Sequence, residues 1–251
     1  MHQIYDYLQQ LQDKEIVILG LGREGHSTYE FLRKYLPEKN LWLVDEKSIA
    51  NLDEVWHTIS NTDSNATFIN HLQHSELLSA DGVIIFKTPG IPLHNKLLKQ
   101  AEELQANITS NTNLFFTVID LINSNLPSEQ QKVKTIGITG TKGKSTTTAI
   151  IAHVLSSAGL HAFLGGNIGI APLSLIDPII DTAERNSSGF PVFAVLELSC
   201  HQLNDAQQSP NYAVILDVTP EHLDYYKTFD AYVKAKAHIC MFQSAADFAV
   251  L

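Results

Sequence analysis

Residues 135–148 read Thr-Ile-Gly-Ile-Thr-Gly-Thr-Lys-Gly-Lys-Ser-Thr-Thr-Thr, a β-branched run followed by a glycine turn and the start of a helical pattern. This order predicts a phosphate-binding loop, because backbone N–H groups at a helix N-terminus point outward and the helix dipole favours an anion there. In such a loop Lys144 reaches the β- and γ-phosphates, and the Ser145 hydroxyl holds Mg²⁺. The strict spacing requires a glycine where Ile138 stands, and Gly137 comes one residue early. An ordinary glycine-rich turn is the alternative, but Gly-Lys-Ser between a strand and a helix favours nucleotide binding.

The composition limits the classes of protein to consider. Of the 251 residues 44% are hydrophobic, so we expect one or two domains with proper cores. The formal net charge of −10 argues against a nucleic-acid-binding surface, which normally needs a basic patch. The two cysteines, Cys200 and Cys240, imply no disulfide framework and fit a reducing cytoplasm. The polar N-terminus lacks a signal-peptide pattern and no apolar run approaches a membrane span, so we expect a cytoplasmic protein without a membrane partner.

A second glycine turn lies near the N-terminus. The apolar strand 15–19 leads into Gly20-Leu-Gly-Arg-Glu-Gly25, an amphipathic helix follows, and the next strand ends at Asp45. This layout is typical of dinucleotide-binding folds, in which glycines allow the tight turn and the acid meets a ribose or a base. The sequence therefore predicts a Rossmann-like unit whose ligand need not be NAD. A buried strand, 82–86, then precedes Thr88-Pro-Gly-Ile-Pro92, at a position where open α/β sheets bind ligands.

Strand and helix patterns alternate along the chain and predict an α/β protein with parallel, doubly covered sheets. The polar stretch 123–132 contains proline and serine and is the best linker candidate. We therefore predict a Rossmann-like domain over 1–131 and a P-loop α/β domain over 132–251, which is incomplete at its C-terminus. Residues 50–64 show no pattern, and a last strand begins at Ala249.

Two further residues are candidates for chemistry. Glu197 lies in an otherwise apolar strand, where a carboxylate is costly to bury unless it is paired or binds a metal; a strand-end acid facing solvent is the alternative. His222 follows another strand, where a metal or phosphate contact is plausible, although a lone histidine is usually structural. By composition alone, Lys236 belongs to a solvated helix face.

Several motifs, in this order, resemble those of the Mur ligases. They are Gly140-Thr-Lys-Gly-Lys-Ser-Thr146, Gly165-Gly-Asn-Ile-Gly169, Leu196-Glu-Leu-Ser-Cys-His-Gln-Leu203, His222-Leu-Asp224 and Tyr232-Val-Lys-Ala-Lys236. The resemblance runs from about residue 15 to the last residue. The first glycine turn, Thr88-Pro-Gly-Ile91 and the Glu-Leu-Ser string are most similar to the branch that adds D-glutamate.

The resemblance implies an ATP-dependent amide ligation in peptidoglycan precursor synthesis. In this family the γ-phosphoryl group of ATP is transferred to the substrate's terminal carboxylate, and an incoming amine attacks the acyl phosphate. The implied substrates are UDP-N-acetylmuramoyl-L-alanine and D-glutamate, and the implied cofactors are ATP and Mg²⁺.

The resemblance also assigns roles by matching position. Ser145 and Glu197 would bind a first Mg²⁺, while His222 and Lys236 would serve a second, with Lys236 carbamylated so that it offers oxygen ligands. Lys144, His222 and Lys236 are the candidate catalytic residues. The phosphate-binding residues would be Gly140, Thr141, Lys142, Gly143, Lys144, Ser145 and Thr146. The UDP-substrate contacts would be Arg23, Glu24, Asp45, Glu46, Lys47, Thr88, Asn167, Ser199 and Gln202.

The chain departs from the family pattern at single positions and in length. Lys142 and Asp217 stand where Asn is usual, Cys200 where a Ser is usual and His201 where an aromatic residue is usual; none removes a required ligand. Members continue with more of the ATPase sheet and a third domain that binds D-glutamate. We therefore expect this chain to be a monomer that binds the UDP substrate with little or no ligation, and to expose a sheet edge near Val250.

Three other functions are alternatives to this one. An NAD-dependent enzyme would explain the first glycine turn and Asp45, but not the second loop, Glu197 or His222. Folylpolyglutamate synthetase shares the loop type and chemistry but lacks an N-terminal Rossmann-like domain. A ligase remnant that binds UDP without catalysis remains open for this chain.

Overall fold

The computed structural model describes residues 2–70, 82–92, 95–126, 132–186 and 188–251. Their contacts divide the chain into two compact units, Met1–Asn111 and Thr112–Leu251. Within the predicted linker 123–132, the first residues are helical and 127–131 lie outside the described residues. The predicted domain boundary after residue 131 therefore stays a prediction. Throughout the described ranges, every helix is too short or too polar to cross a lipid bilayer.

The first unit is built on a parallel sheet. Its strands are β1 (Glu15–Leu19), β2 (Leu41–Asp45), β3 (Ala66–Asn70), β4 (Val83–Lys87) and β5 (Asn107–Thr109), in the order β3-β2-β1-β4-β5. The helices are α1 (His2–Gln9), α2 (Arg23–Tyr35), α3 (Glu54–Thr62) and α4 (Lys96–Glu103), with a 3-10 turn at Ile49–Asn51. Apolar residues of β1 and β4, among them Val17 and Ile85, pack with Leu98 of α4 in a buried core. This strand order is that of the Rossmann fold, in which the switch point lies between β1 and β4.

The second unit contains another parallel sheet. Its strands are β6 (Val133–Thr139), β7 (Ala162–Gly166), β8 (Val192–Glu197), β9 (Tyr212–Ile215) and β10 (Phe248–Val250), in the order β10-β9-β6-β8-β7. The helices are α5 (Asn111–Asn125), α6 (Lys144–Ser157), α7 (Ile176–Arg185), α8 (Cys200–Leu203), α9 (Leu223–Tyr226) and α10 (Phe229–Met241), with a 3-10 turn at Pro172–Leu175. Helix α5 begins at the last residue of the first unit. The β6–α6 connection is the glycine loop, which therefore starts from the central strand of its sheet.

The predicted α/β class with parallel sheets is confirmed. Residues 50–64, which show no pattern in the sequence, contain helix α3. Only Trp56 and Ile59 are buried on this helix, so its apolar face is too short to give a clear period. The Trp56 indole donates a hydrogen bond to the Leu21 carbonyl over 2.6 Å, which ties α3 to the first glycine turn.

Candidate functional site

A cleft lies at the carboxyl ends of β1 and β4 in the first unit. Its volume is about 560 Å³, and its lining includes the first glycine turn, the end of β2 and the turn after β4. Open α/β sheets bind ligands at this switch point. Four predicted substrate-binding residues line the cleft together: Asp45, Glu46, Lys47 and Thr88.

The glycines of the first turn have distinct roles. Gly20 has φ +94°, and a Cβ added there would lie 2.0 Å from Thr88 Oγ1. A Cβ at Gly25 would lie 2.1 Å from the Gly20 carbonyl oxygen, so this residue permits close packing of α2 on β1. At Gly22, by contrast, no heavy atom of the described residues lies within 4 Å of such a Cβ. The backbone at Gly22 is therefore open to a ligand in the cleft.

Asp45 fixes the shape of the cleft. Its Oδ2 accepts a hydrogen bond from the Leu21 N–H over 2.7 Å, and its Oδ1 accepts one from the Lys47 N–H over 2.9 Å. The carboxylate thus joins the glycine turn to the end of β2. Of the remaining predicted residues, Arg23 is exposed at the start of α2 and Glu24 beside it is buried.

Lys87 is a residue that sequence reasoning missed. Its side chain is 1% exposed at the end of β4, and its Nζ donates to the carbonyls of Thr88 and Ile91 over 3.3 and 3.0 Å. It therefore holds the turn that forms one wall of the cleft. The sequence did contain a signal for this role, because Lys87 ends an apolar strand immediately before a Thr-Pro-Gly turn.

The second glycine loop concentrates positive charge around one carbonyl oxygen. Lys144 Nζ donates to Gly140 O over 3.0 Å and to Thr141 O over 2.8 Å, while Lys236 Nζ donates to the same Gly140 O over 2.7 Å. Gly143, with φ +82°, is the N-cap of α6. Two ammonium groups beside a helix N-terminus suit a polyanion such as a triphosphate. Lys142 and Thr146 of the same loop are exposed.

Glu197 lies at the end of β8, directly beside this loop. Its side chain is 2% exposed; Ser145 Oγ donates to Oε2 over 2.6 Å, and Asn167 Nδ2 donates to Oε1 over 2.8 Å. Both donors are neutral, so the carboxylate's charge has no compensation from them. The hydroxyl and carboxylate oxygens form a hard donor set of the kind that Mg²⁺ prefers, so these residues fit that ion.

The expectation that Lys236 lies on a solvated face is wrong, since it is only 2% exposed on α10. Its Nζ lies 4.5 Å from the centre of the Tyr232 ring. Burial lowers the pKa of Lys236 to about 8; Lys144 adds to this effect, while Cys200 and Glu221 oppose it. Its charge favours a solvated position, whereas its spacing from the buried Tyr232 and Ile239 is that of a core-facing residue.

His222 is the N-cap of α9 and has a left-handed backbone, with φ 55°. Its side chain is 46% exposed, and its Nε2 lies 3.7 Å from a carboxylate oxygen of Glu221. The His222 ring centre lies 6.1 Å from that of Tyr232, which Lys236 also contacts. His222 and Lys236, the two residues predicted for the second Mg²⁺, therefore both lie near Tyr232.

Ser199 and Gln202 contact each other. The Ser199 hydroxyl accepts from the Gln202 N–H over 3.2 Å, and Gln202 Oε1 accepts from the Ser199 N–H over 2.9 Å. This capping box starts α8 and gives both residues a structural role. Their predicted contact with substrate stays a prediction, as does that of Asn167.

The family model and the curated relatives that match this chain point to the same family. Residues 138–251 match the Mur ligase middle domain. The chain is 32% identical over 243 residues to a UDP-N-acetylmuramoylalanine–D-glutamate ligase of Citrifermentans bemidjiense, with 96% of this chain and 48% of the relative covered. It is 35% identical over 228 residues to the ligase of that name from Rickettsia prowazekii, with 90% and 43% covered. The chain thus spans about half the length of the curated relatives it matches.

A solved structure supports the fold. It is the UDP-N-acetylmuramate:L-alanyl-gamma-D-glutamyl-meso-diaminopimelate ligase from Neisseria meningitides, with a TM-score of 0.51 and 14% identity. The alignment covers 94% of this chain and 70% of that one. At this identity the likeness concerns the fold alone.

Proposed function

The chain belongs to the Mur ligase family, and from this premise we propose that it forms part of an ATP-dependent ligase that joins D-glutamate to UDP-N-acetylmuramoyl-L-alanine. The names of the curated relatives support this pair of substrates. In such a reaction the substrate carboxylate is phosphorylated by ATP, and the amine of D-glutamate then displaces phosphate from the acyl phosphate. We place the reaction in the cytoplasm, in peptidoglycan precursor synthesis.

The contact of Ser145 with Glu197 carries the proposal. It joins the helix start that would cradle the phosphates to the one carboxylate at the end of the neighbouring strand β8. In P-loop enzymes, catalysis of phosphoryl transfer is almost entirely positioning and charge stabilisation. The Ser145 hydroxyl and Lys144 of the loop, together with the buried carboxylate beside it, provide those means.

Each residue of this site has a defined task. Lys144 would bind the phosphates and offset the negative charge on the transferred phosphoryl group. Ser145 and Glu197 would hold Mg²⁺, which when bound neutralises phosphate charge and orients the phosphate oxygens. Asn167 would keep the Glu197 carboxylate in place through its 2.8 Å hydrogen bond.

Carbamylation of Lys236 is part of the proposal. The ammonium group first loses a proton; the uncharged amine nitrogen then forms a bond to the carbon of CO₂ and releases a second proton to solvent, so that a cation becomes an anionic oxygen ligand. Only the uncharged amine can react, and the lowered pKa, about 8, favours that form in mildly alkaline solution. With His222, the carbamate would then serve a second Mg²⁺.

In the first unit, we assign the cleft between β1 and β4 to the UDP part of the substrate. Gly22 would let the backbone approach the diphosphate, and Asp45 and Thr88 would contact the nucleotide.

Calorimetric titration of the 251-residue chain with UDP-N-acetylmuramoyl-L-alanine tests the assignment, with NADH as the competing ligand. We expect saturable binding that NADH leaves unchanged and that the double variant Asp45→Ala, Thr88→Ala abolishes. The control double variant Asp53→Ala, Thr62→Ala changes two exposed residues of the same unit and should bind normally. Binding of NADH instead would favour a dehydrogenase.

A further inference from the structure

Three side chains with soft or borderline metal-ligand atoms meet at the end of β8. They are Cys200 and His201, the first two residues of α8, and His222, the N-cap of α9. One ligand atom from each, the Cys200 sulfur and a ring nitrogen of each histidine, lies within 4.8 Å of the other two. Residues from two separate segments of the chain thus converge on one point.

The surroundings restrict the orientation of these ligands. The His201 ring centre lies 4.5 Å from that of Tyr225 and 5.6 Å from that of Tyr226, which stacks on it. The Tyr226 hydroxyl lies 3.5 Å from His201 Nδ1. Because a metal-binding histidine is usually oriented by a group on its other ring nitrogen, this contact suits coordination through Nε2.

Access to the cluster differs from one ligand to the next. Cys200 is 3% exposed, whereas the His222 side chain is 46% exposed. An ion can therefore enter from the His222 side and reach a sulfur that bulk water does not reach freely. His222 lies before a short helix on an exposed segment, and rotation of its side chain can adjust the ligand spacing.

We propose that Cys200, His201 and His222 form a site for Zn²⁺ or a similar borderline divalent ion. One thiolate and two imidazoles make a three-ligand set of the kind found in zinc sites with an open fourth position, which water would fill. Tetrahedral bonds of the usual lengths require ligand atoms about 3.5 Å apart, so a pair of ligand atoms at the 4.8 Å limit must approach by ~1.3 Å on binding. On binding, the Cys200 thiol releases its proton to solvent and the sulfur forms the bond to the metal.

The donor set separates this site from the magnesium site proposed above. A thiolate and imidazoles select Zn²⁺ or Co²⁺ over Mg²⁺, which prefers oxygen ligands. Since His222 belongs to both sets, Zn²⁺ at this site would remove His222 from its role in ligation; that consequence rests on the proposed function, whereas the site itself does not. Zn²⁺ would then act as an inhibitor of the ligase.

The test is a titration of the 251-residue chain with Co²⁺, followed by absorption spectroscopy. We expect one equivalent to bind with a thiolate-to-cobalt charge-transfer band, and stoichiometric Zn²⁺ to abolish that band. Cys200→Ser should remove the band. His201→Phe and His222→Gln should each weaken Co²⁺ binding by ~10-fold or more, because each removes one of few ligands.

Cys240→Ser is the matched control, because it removes the chain's other cysteine from α10 and should leave the spectrum unchanged. The proposal is overturned if the band persists in Cys200→Ser or is absent from the unsubstituted chain. Should Cys200→Ser fail to fold, the Cys240→Ser variant decides, because Cys200 is then the only cysteine of the 251-residue sequence and a persisting thiolate-to-cobalt band must come from it. Binding of the UDP substrate is measured in parallel, so that failure of the proposed function is seen separately.

Discussion

Glu197 is a carboxylate at 2% exposure whose two hydrogen-bond donors, Ser145 and Asn167, are neutral. Burying such a charge is unfavourable for folding unless a cation compensates it. The sequence was sufficient to identify the residue, since a lone acid in an apolar strand is conspicuous. Its contact with Ser145 needed the structure, because 52 positions separate the two in the chain.

The substitution Glu197→Gln separates the effect of this carboxylate on stability from its proposed role in binding Mg²⁺. We expect the free energy of unfolding to stay within ~1 kcal/mol or to rise, because a neutral amide replaces a buried charge that its contacts with Ser145 and Asn167 do not compensate. Mg²⁺ should no longer strengthen ATP binding, because the oxygen anion that would hold the ion is gone. Urea unfolding and ATP titrations with and without Mg²⁺ measure the two effects. Glu184→Gln, on an exposed position of α7, is the control, and an unchanged Mg²⁺ effect in Glu197→Gln would contradict the assignment.

Lys236 should make stability depend on pH. Burial lowers its pKa to about 8, from the ordinary value of 10.5. Between these pH values the unfolded chain binds more protons than the folded chain, so the free energy of unfolding should rise as the pH increases from about 8. Above about pH 10 the gain should reverse, since burial raises the pKa values of Tyr226 and Tyr232 and the unfolded chain then loses tyrosine protons first.

Urea unfolding between pH 7 and 10, in buffer free of bicarbonate, measures this dependence. The rise should amount to a few kcal/mol at most, on the order of 1.4 kcal/mol per pH unit, and Lys236→Met should flatten it. Lys234→Met, two residues away and exposed, should leave the slope as it is. Equal slopes in all three proteins would show that Lys236 does not cause the effect.

At the scale of helices and strands, helical spacing predicts which residues of α10 are buried better than side-chain charge does. On α10 the buried residues are Tyr232, Ala235, Lys236 and Ile239, which follow the i, i+3, i+4, i+7 pattern of an apolar face. The lysine occupies a core-facing position, and only its charge suggested solvent. Apolar strands such as β1, β4 and β8 were predicted correctly because both faces are covered. Helix α3 and the three-residue strand β5 were missed because their patterns are too short.

The connection between β1 and α2 offers a matched pair of glycine substitutions. Gly25→Ala should lower the free energy of unfolding by ~2 kcal/mol or more, because the added Cβ would lie 2.1 Å from the Gly20 carbonyl oxygen. Gly22→Ala should change stability by less than ~0.5 kcal/mol, since it adds a methyl group to open space. It should nevertheless weaken binding of the UDP substrate, because the methyl group would occupy the approach to the backbone.

Urea unfolding and calorimetric titration of the two variants together test both statements. A Gly22→Ala variant that binds the substrate normally would contradict the assignment of the diphosphate to this turn. A Gly25→Ala variant as stable as the unsubstituted chain would show that α2 can shift away from β1.

For the molecule as a whole, the sequence indicated two α/β units with parallel sheets, each containing a strand–glycine-turn–helix connection. It did so because a strand–glycine-turn–helix connection is local and can be read twice, at Gly20–Gly25 and at Gly140–Ser145. What it could not provide was the convergence of distant segments. The clustering of Cys200, His201 and His222 depends on how β8 and β9 flank β6, which no local pattern encodes.

The edge of the second sheet should govern self-association of the whole chain. Strand β10 ends the strand order, and Phe248 and Val250 on it are each 61% exposed. An exposed apolar edge is a template for pairing with another chain. We expect the protein to be monomeric at low concentration and to associate reversibly as its concentration rises, because an unpaired edge gives only weak contacts.

Val250→Lys should suppress that association, since a charged side chain on an edge strand opposes pairing of two edges. Sedimentation velocity over a range of protein concentrations measures the effect. Val154→Lys is the matched control, because Val154 is 58% exposed on α6, within the same unit but on a helix. If both substitutions reduce association equally, general surface hydrophobicity rather than the β10 edge is responsible; if only Val250→Lys does so, the edge is the contact, because the two variants add the same charge to equally exposed valines.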